Sequence, residues 1–215
     1  MARIRRLGLG AALLALIAVP LAAQSFSEGY TFLKAVRERD GTVAEQILSN
    51  LSSTAINARD PATGEGALHI LVRGRDLNWL AYMLGRGARP DTQNSEGATP
   101  LLLAAQIGWL EGAEQLLARR ANPNIGNRGG ITPLIAAVQV RNLQMVRLLL
   151  SQRADPNQTD NQTGNSAIDY ARQDPRAAPI LRELEQARAP ARPATPATTA
   201  PRPAAPAPAA PRPTP

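Results

Sequence analysis

The feature that most constrains this chain is a period. Four segments align at nearly constant spacing: GEGALHILV from Gly64, GATPLLLAA from Gly97, GITPLIAAV from Gly130 and GNSAIDYAR from Gly164. A weaker copy, GYTFLKAVR, starts at Gly29, so the five starts are separated by 35, 33, 33 and 34 residues. A second landmark recurs in phase, as ARPD at Ala88, ANPN at Ala121 and ADPN at Ala154, spaced by 33 each time. Two landmarks sharing one period mean one supersecondary unit stacked on copies of itself, which is a one-dimensional architecture.

The chemistry of each unit is readable. Thr99 and Thr132 stand where an N-cap hydroxyl accepts from first-turn amides, and Pro100 and Pro133 follow at the first helical position, where a missing N–H costs nothing. Leu101, Ala104 and Ala105 are expected against neighbouring helices, and a turn near Gly108 leads to a second helix buried through Leu116 and Leu117. Met83/Leu84 and Leu149/Leu150 match that pair. Gly64, Gly97, Gly130 and Gly164 suit backbone of positive φ. Asn94, Asn127 and Asn161, each three residues earlier, suit the turn at a hairpin tip. The fold expected is an all-α repeat solenoid of about five helix-turn-helix units joined by β-hairpin loops.

These residues resemble the ankyrin repeat family. GATPLLLAAQIGWLEGAEQLLARRANPN follows its G-x-T-P-L-H-x-A-A-x-x-G pattern, then a Leu-Leu pair, then a G-A-D-x-N-like ending. The resemblance covers about residues 27–187. It departs at Arg120 and Arg153, which take the usual glycine position before alanine, and at the irregular segment Ser49–Thr54. His69, in GALH, takes the place of the family's TPLH histidine. The resemblance implies for it a structural role, bonding backbone in neighbouring turns.

The two ends read differently. Residues 1–23 join a basic start (Arg3, Arg5, Arg6) to an apolar run from Leu7 to Val19, Pro20 and small residues. That is the pattern of a signal peptide cleaved after Ala23; the run is short for a span of about 20 residues. Residues 190–215 hold ten prolines in 26 positions and no large apolar side chain, so they are expected to be a disordered spacer. The repeat domain then occupies 24–189. The net charge of +7 follows this division: Arg3, Arg5, Arg6, Arg192, Arg202 and Arg212 lie at the ends, leaving 18 basic and all 17 acidic residues in 24–190. The solenoid is nearly neutral, so nucleic acid is not the expected partner.

Catalytic chemistry is not legible. Cysteine is absent and His69 is the single histidine, which leaves too few ligands for a zinc site. No phosphate loop or dinucleotide fingerprint occurs. Carboxylate pairs such as Asp155/Asp160 and Glu183/Glu185 read as solvated surface. No enzymatic activity, cofactor or metal is expected. By the resemblance, a protein partner binds a concave groove formed by hairpin tips and the exposed face of the first helices. The positions nine and ten after each repeat glycine are Arg73/Gly74, Gln106/Ile107, Gln139/Val140 and Gln173/Asp174. The tips add Thr63, Glu65, Ser95, Glu96, Arg128, Ile131 and Asn165. Trp109 is expected at the groove's edge, partly buried, and Trp79 in the core. The expected molecule is a monomeric, exported interaction module, periplasmic or secreted. The alternative is a structural envelope protein that associates with cell wall or anionic membrane through its Pro/Arg/Ala tail.

Overall fold

The structure is a computed structural model, and its described residues are 21–50 and 53–188. The expected signal segment up to residue 20 and the Pro/Ala-rich tail from 190 lie outside them. The described chain forms ten α-helices: α1 (Leu21–Glu38), α2 (Gly41–Ser49), α3 (Ala67–Arg73), α4 (Leu77–Gly85), α5 (Pro100–Gln106), α6 (Leu110–Ala118), α7 (Pro133–Gln139), α8 (Leu143–Ser151), α9 (Ala167–Gln173) and α10 (Ala178–Arg188). Short 3-10 turns lie at Ala55–Asn57 and Pro175–Ala177. The helices pair as five units. One row stacks α1, α3, α5, α7 and α9, and the other runs α4, α6, α8, α10, with α2 packed on α1. This is the expected all-helical solenoid.

The first helices of the central units start as their sequence dictates. Thr99 accepts from the Leu102 N–H and Thr132 from the Ile135 N–H, both at 3.2 Å, with proline next in each. Ala104, Ala105, Ala136 and Ala137 are buried, and their small side chains let α5 and α7 approach closely. Burial of Leu101, Leu116, Leu134 and Leu149 supplies the stacking force that a lone seven-residue helix lacks. Leu150, expected in the core, is half-buried.

Three of the second helices, α2, α4 and α8, share one N-cap device. Asp40, Asp76 and Asn142 each accept from the amide three residues on, at Val43, Trp79 and Met145. The same register position in α6 holds Trp109, which caps nothing with its side chain. Its ring instead lies over Gly112, where an added Cβ would stand 2.1 Å from Cε3. Trp109 is therefore core, at 6% exposure, and Trp79 is half-buried. The sequence expectation had these two tryptophans reversed. Trp79 and Gly112 occupy the same register position 33 residues apart, so glycine vacates the space that the Trp109 ring fills.

Arginine takes positions that normally go to glycine. Arg39, Arg75 and Arg141 share with Gly108 the left-handed turn between paired helices, and Arg120 and Arg153 share with Gly87 the one after the second helix. Three of these arginines reach the next unit. Arg39 lies 3.6 Å from the Asp76 carboxylate, Arg75 donates to the Ile107 carbonyl at 2.6 Å, and Arg141 to Asp174 at 2.6 Å.

The loops stack through backbone ladders rather than extended strands; the only β-bridges among the described residues are isolated ones, Arg59–Gly66 and Thr159–Ser166. Successive tips are joined by Ser95 N–H to Thr63 O, Arg128 N–H to Glu96 O and Asn161 N–H to Gly129 O, at 2.8–3.0 Å. The second landmark has its own ladder. Asn57, Asp91 and Asn124 each accept from an amide of the next unit, at Arg89, Asn122 and Asp155. The in-phase ARPD and ANPN signals are thus inter-unit fasteners. The weak first copy does not form a hairpin, because α1 runs unbroken through Gly29, where a Cβ would sit 2.9 Å from that of Ala58.

Candidate functional site

Arg73, Gln106, Gln139 and Gln173 are the last residues of α3, α5, α7 and α9, and all four are exposed. Because those helices pack side by side in one row, equal register places the four side chains in file along the same edge. The next residues, Gly74, Ile107, Val140 and Asp174, form the helix C-caps, and Asp174 also accepts from Arg176 N–H at 2.9 Å. Ile107 is half-buried against the core, and Val140 is 45% exposed, one of few large apolar side chains in the open.

The file has two electrostatic halves. In the second unit, Arg73 folds back along α3 and meets Glu65 Oε1 with Nε at 2.9 Å and Nη2 at 2.7 Å. One unit earlier, Arg37 meets Asp60 at 2.5 Å. Both arginines are already engaged. Gln106, Gln139 and Gln173 make no side-chain hydrogen bond within the described residues. The open part of the edge is therefore neutral, amide-lined, and confined to the third, fourth and fifth units. Asp174 adds a carboxylate beside it, held below the usual range by the Arg176 amide first and by Arg141 second.

At the tips, Ser95, Glu96 and Arg128 are exposed, Ile131 and Asn165 are half-buried, and Thr63 is exposed with its carbonyl used in the ladder. Glu96 and Arg128 are joined through backbone and present their side chains outward. Trp109 leaves the candidate set, because its ring belongs to the core over Gly112.

His69 is fully buried, as a supporting residue is. Its Nδ1 accepts from Gly66 N–H at 3.2 Å, and its Nε2 faces Ala98 O at 3.0 Å. The acceptor role at Nδ1 puts the proton on Nε2. Burial, the largest influence, holds the ring's pKa below its ordinary 6.5, so the imidazole joins two units in its neutral form.

Sequence reasoning missed a second set of supporting groups. Asp160 is buried at 3% exposure, not solvated surface. It accepts from Thr163 Oγ1 and N–H at 2.6 Å each, Gln162 N–H at 2.7 Å and Tyr170 OH at 2.9 Å. Those donors, the Thr163 hydroxyl foremost, hold its carboxyl well below the usual carboxylate range. Asp60 accepts from Ala62 and Thr63 amides, and Arg37 beside it brings its pKa down to about 2. Asp160 also takes the tip position expected for Asn161, whose Nδ2 instead donates to Arg128 O at 3.1 Å. The signal was present as a repeated D-x-x-T-G, at DPATG from Asp60 and DNQTG from Asp160. These tips are one residue longer than N-x-x-G at Asn94 and Asn127.

Comparison with known proteins agrees with the geometry. The model of the family described as ankyrin repeats (3 copies) matches residues 68–160 and 106–184. A 79-residue stretch is 34% identical to oxysterol-binding protein homolog 1 of Saccharomyces cerevisiae, covering 35% of this chain. The chain spans 7% of that relative's length.

Proposed function

The chain belongs to the ankyrin repeat family, whose repeats generally mediate protein–protein interaction, and from that premise we propose that it is a non-enzymatic module that holds a protein partner along its third to fifth units. The single observation carrying this reading is the file of unpartnered amides, Gln106, Gln139 and Gln173, around the exposed Val140. An apolar contact rimmed by uncommitted hydrogen-bonding groups is the composition of an interface core and its rim. The second unit contributes less, since binding there would first have to displace the Arg73–Glu65 pair. Glu96, Arg128 and Ile131 at the tips extend the contact, and Ile107 forms its floor.

The proposal includes export. The basic and apolar pattern of residues 1–23 supports a cleavable signal and a periplasmic location, with residues 190–215 serving as a spacer. A monomer is favoured by Pro61. It stands where Ser95, Arg128 and Asn161 donate to the preceding tip, and lacking an N–H it cannot extend the ladder to another copy.

Photo-crosslinking in cells from positions 106, 139 and 173, with exposed positions 114 and 147 of the other helix row as controls, tests the reading. One partner crosslinked from the first set alone, and lost with Val140→Asp at unchanged circular dichroism, is expected. Equal crosslinking from both rows would overturn the assignment.

A further inference from the structure

A second site lies at the opposite end of the stack. In units three to five, each hairpin tip rests on the tip before it. The first unit builds no tip, because α1 continues as helix through Gly29. What remains beside the second unit's tip is a cleft of about 550 Å³, a volume within the range of small-molecule sites, about 300–1,000 Å³. Tyr30, Leu33, Ile56 and Ala58 supply its apolar wall, and Arg59 and Arg89 its charge; no carboxylate lines it among the described residues.

Several features select the occupant. Pro61 lines the cleft without an N–H to offer, so an added strand would find no donor at that ladder position. Arg59 is oriented by its Nε bond to Gly64 O at 3.0 Å, which leaves its terminal nitrogens available. Arg89 is exposed and its side chain has no partner within the described residues. Tyr30 stands at the rim with 62% exposure, an aromatic face left in water. Two arginines lining a cleft with an apolar wall suit a carboxylate attached to an apolar body. The chain's own segment 190–215 is a poor occupant, because it carries three arginines and no acidic side chain.

We infer that this cleft binds a small organic carboxylate with an apolar body. It is separate from the amide-lined edge, so its fate and that of the partner-binding reading can be told apart.

Calorimetric titration of the full chain with decanoate tests it. One saturable site per chain is expected, with decanol and inorganic phosphate each binding at least roughly tenfold more weakly. Arg89→Glu should weaken decanoate binding by about tenfold or more, and Tyr30→Ala severalfold. Both residues are exposed, and thermal melts confirm that the variants fold. Gln139→Glu, on the other edge, should leave decanoate binding unchanged. Non-saturable heats, equal affinity for decanol, full affinity in Arg89→Glu, or tighter binding of a peptide of residues 190–215 would each overturn the assignment.

Discussion

The third and fourth units and the second and fifth solve the same structural problem with different chemistry. In the central pair, the first helix starts at a Thr-Pro cap and the tip is held by Asn94 or Asn127, all neutral groups. In the flanking pair, a side chain three residues into the helix reaches back to the cap amide: His69 to Gly66 N–H and Asp169 to Ser166 N–H. Their tips are held by Asp60 and Asp160. The backbone is nearly the same, but in the flanking units an ionisable side chain holds each cap amide and each tip. Repeats that look interchangeable by packing therefore differ in what conditions can loosen them.

The largest test removes an apolar fastening from the centre. Trp109→Ala should cost ~3–5 kcal/mol in denaturant unfolding, as large core truncations do. A loss under 1 kcal/mol would return Trp109 to the surface role its sequence position suggested. His69→Leu, in a flanking unit, leaves the Gly66 N–H and the Ala98 carbonyl unpaired in the interior, at ~1–3 kcal/mol. Thr99→Ala, its central counterpart, should cost ~0.5–2 kcal/mol. Calorimetric melting of both variants gives the difference. If Thr99→Ala is the more damaging, the flanking fastenings matter less than the comparison holds.

The smallest effect concerns the left-handed arginines. Arg120, at φ 64°, holds nothing with its side chain within the described residues. Arg120→Gly should raise stability by up to ~1 kcal/mol, since glycine relieves the left-handed penalty at some entropic cost. Arg141→Gly would gain the same relief but lose the bond to Asp174, and should not stabilise. Equal gains in both variants would show that the inter-unit arginine contacts are idle.

The architecture was legible because period, cap and turn signals agreed at every central position. Thr99, Pro100 and Gly97 each specify local geometry without help from distant residues. The candidate edge was legible in the same way, since Gln106, Gln139 and Gln173 are placed by register alone. What register cannot show is which side chains meet. Arg73 looked like its neighbours until its pairing with Glu65 closed that part of the edge. Trp109 looked like a surface aromatic because its burial depends on Gly112 one turn later. Asp160 looked solvated because four donors to one carboxylate are assembled by a turn only one residue longer than its neighbours'. The unbroken α1 was hidden by a glycine that matched the period yet serves close approach to Ala58.

Acid separates the two kinds of unit most directly. Asp60 and Asp160 have folded pKa values below the unfolded 3.8, about 2 for Asp60. Their contribution is thus present above pH 3.8 and lost as pH falls through the folded values. His69, lowered from 6.5, acts in the same direction at milder acidity, because protonation would place a second N–H where Nδ1 now accepts. Hydrogen-exchange protection factors, measured unit by unit from pH 7 down to pH 2, where Asp60 titrates in the folded chain, read this out. Protection in α3 and α9 should fall first while α5 and α7 keep theirs. Uniform loss across all four helices, or earlier loss in α5 and α7, would contradict the division between neutral centre and ionisable flanks.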